Sequence, residues 1–284
     1  MKEMIKDIVV HSDFLSTLRR WGAAVKGEFL FVIRKKSYSK TTYGARINSY
    51  KGICRGKRCF IIGNGPSLKP WDLELLKDEY TFGANRIHLM YDKTAWRPTF
   101  YICQDKEMLK AECERIRKMP CDCFIGYNAM VENKIQMSNA NAYLMDDRAI
   151  LWRKRKLPFS FDCEKQVIDG TTVTYSSIQL AVYMGFTQIY LLGMDHHFPH
   201  TINKNREITY DGTVRSHFDP SYKDVYQQVE RKKGIVLAVY DKEMVEQAYG
   251  SAREVAVIKG IEITNVTRGG ELEVFPRRRL EQVL

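Results

Sequence analysis

A glycine-rich turn follows the first unbroken apolar run of the chain. It reads Gly63-Asn64-Gly65-Pro66-Ser67, directly after Cys59–Ile62 and before a short helical stretch around Trp71-Asp72-Leu73. Two glycines permit a tight turn and close backbone approach, and amide N–H groups ahead of a helix start can hold a phosphate. The turn is neither the three-glycine dinucleotide fingerprint nor a P-loop, because the Gly-Lys-Ser/Thr ending is missing. It predicts either a nucleotide-phosphate site or an ordinary strand-to-helix turn.

A second segment rich in hydroxyl side chains runs from Asp169 to Ser177 and leads into an apolar helix and the strand Ile189–Leu192, which stops at Gly193. Ligands of open α/β sheets gather where such strands end. Thr172 is therefore a candidate ligand residue. In the alternative interpretation, the hydroxyl groups only cap a core helix.

Histidines provide the third and fourth candidates. Asp195-His196-His197-Phe198-Pro199-His200 follows that strand end, and its imidazoles suit a transition metal, a phosphate or a plain polar loop. Zinc sites generally draw ligands from separate elements, so we expect no metal. His217 lies in a long polar span, where a neutral imidazole can accept a proton from an attacking hydroxyl. The alternative is a solvent-exposed loop histidine.

Alternating strands and helices must position these residues. Further short apolar runs predict strands at Tyr80–Gly83, Phe100–Cys103, Cys123–Gly126, Ala142–Leu144 and Ile261–Asn265. Helices are expected at Lys106–Lys118, Tyr175–Met184, Asp224–Lys233 and Asp241–Ile258. This alternation predicts a doubly wound, mostly parallel α/β sheet of Rossmann type. The polar span from Gly193 to about Tyr222 exceeds an ordinary connection and is a candidate lid.

The chain divides by composition into three regions. We expect a basic helical extension over 1–56, a Rossmann-like nucleotide-binding core over 57–200, and a lid with C-terminal helices and a last strand over 201–284. Fourteen Lys or Arg against four Asp or Glu lie within the first 58 residues, so this extension carries nearly all of the net charge of +11. The body lacks a basic stripe with interleaved aromatics, which excludes a nucleic-acid binder.

The extension contains an amphipathic helix. Ser12 or Asp13 can cap it, and apolar residues recur at helical spacing at Phe14, Leu18, Trp21, Val25, Phe29 and Val32. Arg19, Arg20 and Lys26 flank this face, and Arg34-Lys35-Lys36 closes it. Such a helix either lies on an anionic membrane surface or packs on the body or on a second subunit.

Length and composition exclude several classes of protein. With 284 residues, 44% of them apolar, the chain can bury a sizeable core. Seven scattered cysteines, an odd number, favour a reduced, cytoplasmic compartment. No apolar run is long enough to span a bilayer, and Met1–Lys6 is too polar to open a secretory signal.

The assembled motifs resemble a known family. The segments Phe60–Leu68, Gly83–Arg86, Thr172–Asp195 and Asn265–Phe275 look like those of the 6-hydroxymethylpterin diphosphokinase MptE-like proteins of bacterial polysaccharide clusters. The Gly-Asn-Gly-Pro-Ser-Leu start and the Ile189–Asp195 pattern are also similar to the Campylobacter-type sialyltransferases that use CMP-activated sialic acid. The resemblance covers Lys57 to Phe275.

The sialyltransferase likeness implies inverting transfer of a nonulosonic sugar from a CMP-sugar donor to a glycan hydroxyl, without a metal cofactor. Amides at a helix start plus hydrogen-bond donors can stabilise the departing nucleoside monophosphate. The resemblance implies that Asn64 contacts the donor phosphate, Asn85 contacts the nucleotide and His217 is the base. His197 replaces a tyrosine that steadies the departing phosphate.

The remaining donor-binding candidates share positions near strand ends: Gly63, Gly65, Ser67, Asp105, Thr172 and Asp195. The family's third-strand Asn corresponds to Gln104 or Asp105, and its second phosphate-binding Tyr to Tyr210 or Tyr222. Two alternatives remain open. One is Mg²⁺-dependent diphosphate transfer from ATP to a hydroxymethyl pterin, with Asp105 and Asp195 as metal ligands. The other is a non-catalytic nucleotide-binding scaffold recruited by the basic helix. A homo-oligomer is compatible with each.

Overall fold

A central sheet of seven parallel strands organises the protein. The computed structural model describes residues 13–152, 156–197, 200–202, 208–210, 215–223 and 241–284. The strands are β1 (Arg58–Ile62), β2 (Tyr80–Ala84), β3 (Phe100–Cys103), β4 (Asp122–Gly126), β5 (Ala140–Tyr143), β6 (Gln188–Leu192) and β7 (Glu262–Asn265). They are ordered β7-β6-β1-β2-β3-β4-β5 across the sheet. The predicted α/β sheet of Rossmann type is confirmed.

Helices cover this sheet. They are α1 (Asp13–Tyr38), α2 (Tyr43–Asn48), α3 (Pro70–Glu74), α4 (Lys106–Ile116), α5 (Tyr127–Asn133), α6 (Arg148–Leu151), α7 (Val173–Met184) and α8 (Lys242–Lys259). Short 3₁₀ helices span Ile87–Met90, Pro220–Lys223 and Leu280–Gln282. Two small ladders complete the structure: Met145–Asp146 pairs with Val167–Ile168, and His200–Ile202 pairs with Ile208–Tyr210.

The central strands β1, β3 and β6 are mostly apolar because both faces of the sheet are buried there, as parallel sheets require. Alternate residues enter two separate core clusters. Ile61 and Phe82 belong to one cluster and Phe60 and Ile62 to the other. Strand residues point to opposite faces with a period of two, so each run supplies both cores.

The sheet has a topological switch point between β1 and β6. From β1 the chain builds β2 to β5 on one side, and β6 and β7 later extend the other side. The loops that leave the carboxyl ends of β1 and β6 therefore lie at the position where open α/β sheets bind ligands. The Gly63–Ser67 turn and the Asp195–His200 segment begin at these two strand ends.

The predicted elements agree with the structure to within one or two residues at most ends. The expected strand Ala142–Leu144 is observed as β5, and the expected helix Lys106–Lys118 ends at Ile116. The helix expected at Asp224–Lys233 lies outside the described residues. The polar span before it contains one antiparallel ladder and the Pro220–Lys223 turn.

Helix α1 contacts α6 and, at its C-terminal end, β5 and α5. The Tyr38 hydroxyl donates to the Ala142 carbonyl at 3.1 Å, and the hydroxyls of Ser37 and Tyr127 are hydrogen-bonded at 2.7 Å. The predicted apolar face does not make these contacts: its described members, Leu18, Trp21, Val25, Phe29 and Val32, are all exposed. Helix α1 thus packs on the body, as one alternative expected, but through Ala24, Phe31 and Tyr38 instead of the predicted apolar face.

The extension is hydrogen-bonded to the core ahead of β1. Amides of Gly52, Cys54 and Gly56 donate to the carbonyls of residues 183, 184 and 185 at the end of α7, at 2.8 to 3.1 Å. The three-region division stays a prediction. Within the described part of the chain, no helix is both long and apolar enough to cross a membrane.

Candidate active site

Hydrogen bonds join the two loops at the switch point. The amide of Gly63 donates to the Leu192 carbonyl at 2.7 Å, and the amide of Gly65 donates to the Gly193 carbonyl at 3.0 Å. A Cβ atom on Gly65 would lie 2.7 Å from the same Gly193 oxygen. Glycine is required here because the two backbones approach so closely.

Asp195 closes the junction between these loops. Its carboxylate accepts the Ser67 hydroxyl at 2.7 Å and the Ser67 amide at 3.1 Å. Burial raises the pKa of Asp195, and the bonds from Ser67 partly oppose that rise. The Gly63, Gly65 and Ser67 amides thus donate inside the protein. Protein acceptors therefore already take these three amides, and a nucleotide-phosphate site at this turn stays a prediction.

Asn64 connects the polar span that ends near Tyr222 to the end of β2 through hydrogen bonds. Its side-chain Nδ2 donates to the Ala84 carbonyl and to the Tyr222 hydroxyl, both at 3.1 Å. Its backbone carbonyl accepts the Phe218 amide at 2.9 Å. The bond from Nδ2 to the Ala84 carbonyl fixes the orientation of the Asn64 side-chain amide. The Oδ1 atom of that amide is buried and has no hydrogen-bond partner among the described residues. Such an acceptor is costly unless a ligand donates to it.

His217 and Tyr222 stack on each other beside Asn64. Their ring centroids are 3.8 Å apart with an interplanar angle of 10°. The Nδ1 atom of His217 is hydrogen-bonded to the Ser216 hydroxyl at 3.0 Å. Burial raises the pKa of Tyr222 well above its usual value, and a hydrogen bond with the Asn85 side chain opposes that shift. The structure thus brings Asn64, Asn85, His217 and Tyr222 together, and we call these four residues the polar cluster.

Asn85 directly follows β2 and has a left-handed backbone, with φ of 52°. Its carbonyl accepts the Tyr101 hydroxyl at 2.7 Å, while Oδ1 is buried and also has no partner among the described residues. Thr171 and His196, which also lie at the carboxyl edge of the sheets, have φ of 60° and 56°. Backbone strain in non-glycine residues concentrates at functional sites, which agrees with a site at this edge.

His196 and His197, which follow β6, are bound to different partners. His196 is buried beside Tyr249, and its Nε2 lies 3.0 Å from a Glu246 oxygen. Burial lowers the pKa of His196, and Glu246 opposes this. The His197 ring is hydrogen-bonded to Glu271, which also binds Lys242 at 2.7 Å. The structure does not bring His197 into the polar cluster.

The sequence left a transition metal open as a ligand of the Asp195–His200 segment, of which Phe198 and Pro199 lie outside the described residues. Across the described ranges, no three His, Cys, Asp or Glu side chains are grouped as metal ligands. Asp105 caps α4 by accepting the Met108 amide at 2.7 Å. Asp105 and Asp195 follow β3 and β6, which are three positions apart in the sheet, and a shared Mg²⁺ site between them stays a prediction.

Thr172 acts as a helix cap. Its hydroxyl accepts the Thr174 amide at 3.3 Å, at the start of α7. The neighbouring Asp169 accepts the Thr171 amide at 2.8 Å, and burial raises the pKa of Asp169 to about 6. A titratable carboxyl with a raised pKa at a strand end is typical of functional sites.

Sequence reasoning missed two acidic centres near the site. It included Asp169 in the hydroxyl-rich segment but not as a titratable group. It also missed the ion pair of Arg268 with the buried Asp72, whose atoms lie 2.7 Å apart. Arg268 also donates to the Ser67 carbonyl at 3.3 Å and so braces the turn. In the sequence, the only sign of this ion pair was the positive charge of Arg268 within the Asn265–Phe275 segment.

Replacing Asp169 by asparagine should change the pH dependence of stability. A carboxyl whose pKa is higher in the folded state than in the unfolded state favours folding at low pH, and this contribution disappears as pH rises from about 4 through about 6. We expect Asp169→Asn to be more stable than wild type at pH 7.5 by on the order of 2 kcal/mol. The difference should approach zero near pH 4.

Urea unfolding of both proteins between pH 4 and 8 measures this effect. Asp162→Asn is the matched control, because Lys165 lowers the pKa of this exposed carboxyl and its contribution has the opposite sign. A difference between wild type and Asp169→Asn that stays constant with pH would contradict the assignment.

A parallel sheet with a switch point and polar residues at its carboxyl edge defines a protein of the Rossmann-like α/β class. Within that class, this chain belongs to the family described as 6-hydroxymethylpterin diphosphokinase MptE-like, whose model matches residues 35–201. The resemblance found in the sequence is confirmed. None of the curated proteins matches the chain.

Two solved structures are similar to this chain. The MAf glycosyltransferase from Magnetospirillum magneticum AMB-1 is 16% identical, with a TM-score of 0.47, over 84% of this chain and 38% of its own. The sialyltransferase CstII from Campylobacter jejuni is 17% identical, with a TM-score of 0.45, over 78% of this chain and 85% of its own. That structure is a complex with a substrate analogue, cytidine-5′-monophosphate.

Proposed function

We propose that the protein is a glycosyltransferase that moves a nonulosonic, sialic acid-like sugar from a CMP-sugar to a glycan hydroxyl with inversion. The observation that carries this proposal is the polar cluster. An imidazole stacked on Tyr222 lies beside two amide side chains at the carboxyl ends of β1 and β2. This arrangement combines a base with hydrogen-bonding groups suited to a nucleoside.

His217 is the proposed base. When its Nδ1–H donates to the Ser216 hydroxyl, the lone pair resides on Nε2, where it can accept a proton. The acceptor hydroxyl then attacks the anomeric carbon and forms the new C–O bond, while its proton passes to Nε2. The bond between the anomeric carbon and the phosphate oxygen breaks, and its electron pair departs with CMP. Attack opposite the departing group inverts the anomeric centre.

The amide oxygens of Asn64 and Asn85 fit the donor nucleotide. Both are buried acceptors that lack partners among the described residues. Ribose hydroxyls and the amino group of cytosine are donors, so a cytidine nucleotide would satisfy them. Gly63, Gly65, Ser67 and Asp195 shape the wall of this site through the bonds between the β1 and β6 loops. Thr172, Asp105 and His197 remain candidates for donor contacts.

The reaction is proposed to need no metal. A CMP leaving group carries its own negative charge, which hydrogen-bond donors can stabilise. Turnover of a CMP-sugar in the presence of EDTA tests this directly. An absolute requirement for ATP and Mg²⁺ would instead identify pterin diphosphate transfer, and CMP binding without turnover in either assay would identify a scaffold.

Asn64→Ala should weaken CMP binding by about tenfold or more, because the variant loses a buried hydrogen-bonding group and its contact with Tyr222. Isothermal titration calorimetry with CMP measures this. Asn139→Ala is the matched control, because the exposed Asn139 also donates to a backbone carbonyl, that of Arg117. Unchanged CMP affinity in Asn64→Ala would show that the turn has only a structural role.

We place this activity in the cytoplasm, in the biosynthesis of a surface polysaccharide whose glycan acceptor is presented at the inner face of the plasma membrane. Seven cysteines without a disulfide agree with a reducing compartment. A protein working there benefits from a surface that binds the membrane.

A further inference from the structure

Helix α1 has two apolar sides, and only one of them contacts the body. Ala24, Phe31 and Tyr38 are 1%, 3% and 5% exposed and pack inward. The second side is an exposed stripe formed by Leu18, Trp21, Val25, Phe29 and Val32, which are 43% to 68% exposed. At 100° per residue, the exposed stripe is centred about 120° away from the packed side. The body therefore leaves it uncovered.

The exposed stripe is a continuous surface. It extends over about 21 Å of helix from Leu18 to Val32, and Ile33, 48% exposed, widens it. A contiguous apolar patch with an aromatic residue towards each end marks an interaction surface. Trp and Phe on such a stripe are typical of helices that lie in a lipid interface.

The charges around the exposed stripe are positive. Lys26, Lys35 and Lys36 are exposed beside it or at its C-terminal end. Among the described side chains of α1, the acidic one is Glu28, and it faces the body, where it binds Arg148 at 3.2 Å and the Trp152 indole at 2.8 Å. The stripe thus presents apolar side chains with a cationic border.

We propose that the exposed stripe of α1 inserts into the interface of a membrane containing anionic lipids, with the lysines bound to the headgroups. Lysine stems can extend along the apolar surface and keep their ammonium groups at headgroup level. A second copy of the chain fits less well. Two α1 helices packed through their stripes would bring the lysine borders together, without a described acidic side chain on the stripe to offset them.

Sedimentation of the full chain with vesicles tests this proposal. Wild type should bind vesicles of phosphatidylglycerol and phosphatidylcholine and bind pure phosphatidylcholine weakly. Trp21→Ser/Phe29→Ser should reduce binding by about tenfold or more, and Lys26→Gln/Lys36→Gln by about fivefold per lysine. Val257→Ser/Ile258→Ser is the matched control, because these α8 residues are 76% and 79% exposed; its binding should equal that of wild type.

Three results would overturn the proposal: no binding of wild type to anionic vesicles, equal loss in the Val257→Ser/Ile258→Ser control, or a wild-type dimer in analytical ultracentrifugation that the stripe variant converts to monomer. Thermal unfolding of each variant, followed by circular dichroism, establishes that the fold is intact. The stripe variant should retain wild-type turnover on a soluble acceptor. Failure of vesicle binding is thus distinguishable from failure of the proposed enzymatic function.

Discussion

Replacing His217 by alanine is expected to lower turnover by about 10² to 10⁴ while donor affinity changes little. The ring is stacked on Tyr222 and hydrogen-bonded to Ser216, so its position beside Asn64 is set by neighbours that remain in the variant. Loss of the imidazole removes the group that takes the proton of the acceptor hydroxyl. Steady-state turnover with a CMP-sugar and calorimetry with CMP separate the two effects.

His197→Ala provides the contrasting variant. Its ring is exposed and bound to Glu271, away from the polar cluster, yet the family resemblance assigns it to the departing phosphate. A loss in His197→Ala comparable to that in His217→Ala would extend the reaction centre to the loop after β6. Full activity in His217→Ala would remove His217 as the base.

Gly65→Ala is expected to destabilise the protein by about 3 kcal/mol. The added methyl group would overlap the Asp195 carboxylate and lie 2.6 Å from its Cγ atom and 2.7 Å from the Gly193 oxygen. Both contacts belong to rigid parts of the junction between the β1 and β6 loops. The bonds from Ser67 to Asp195 would break, and a half-buried carboxylate would lose these donors.

Urea unfolding monitored by tryptophan fluorescence measures this loss. Gly250→Ala is the matched control, because it lies inside α8 with nothing within 4 Å of the added Cβ. Alanine should stabilise that helix by about 1 kcal/mol. A Gly65→Ala protein that unfolds at the same urea concentration as wild type would show that the turn rearranges easily.

The central strands were predictable because a strand buried on both faces needs a short, mostly apolar run. Cys59–Ile62 and Phe100–Cys103 are such runs, each followed by polar or glycine residues at the carboxyl edge. The ladder of Met145–Asp146 with Val167–Ile168 was not predicted. Two-residue strands carry no periodicity, and their pairing depends on contacts distant in sequence.

Which side of α1 packs on the body could not be predicted from the sequence. Periodicity identifies the stripe from Leu18 to Val32, which contains more apolar residues than the packed side. Ala24, Phe31 and Tyr38 recur every seven residues and form a second apolar side that packs on the body. The choice between two apolar sides depends on the shape of the surface that receives the helix.

The site was predicted in part. Residue types and the family resemblance selected Asn64, Asn85 and His217, and the structure places these three together, while their roles remain predictions. The hydrogen bonds of the Gly63–Ser67 turn were not predictable. The acceptor for Ser67 is Asp195, which is 128 positions away in sequence, and only the strand order brings them into contact.

The separate sides of α1 determine how a lipid-bound molecule would be oriented. Because Tyr38 and Ser37 keep the helix attached to the β5 edge while the stripe faces elsewhere, docking requires no detachment. The helix would then hold the body in one orientation at the membrane instead of connecting it flexibly. From β5 to β1 is four strand positions, about 19 Å. The reaction centre would therefore be held at a fixed distance from the bilayer. It would favour acceptors that project from the bilayer over acceptors that lie flat on it.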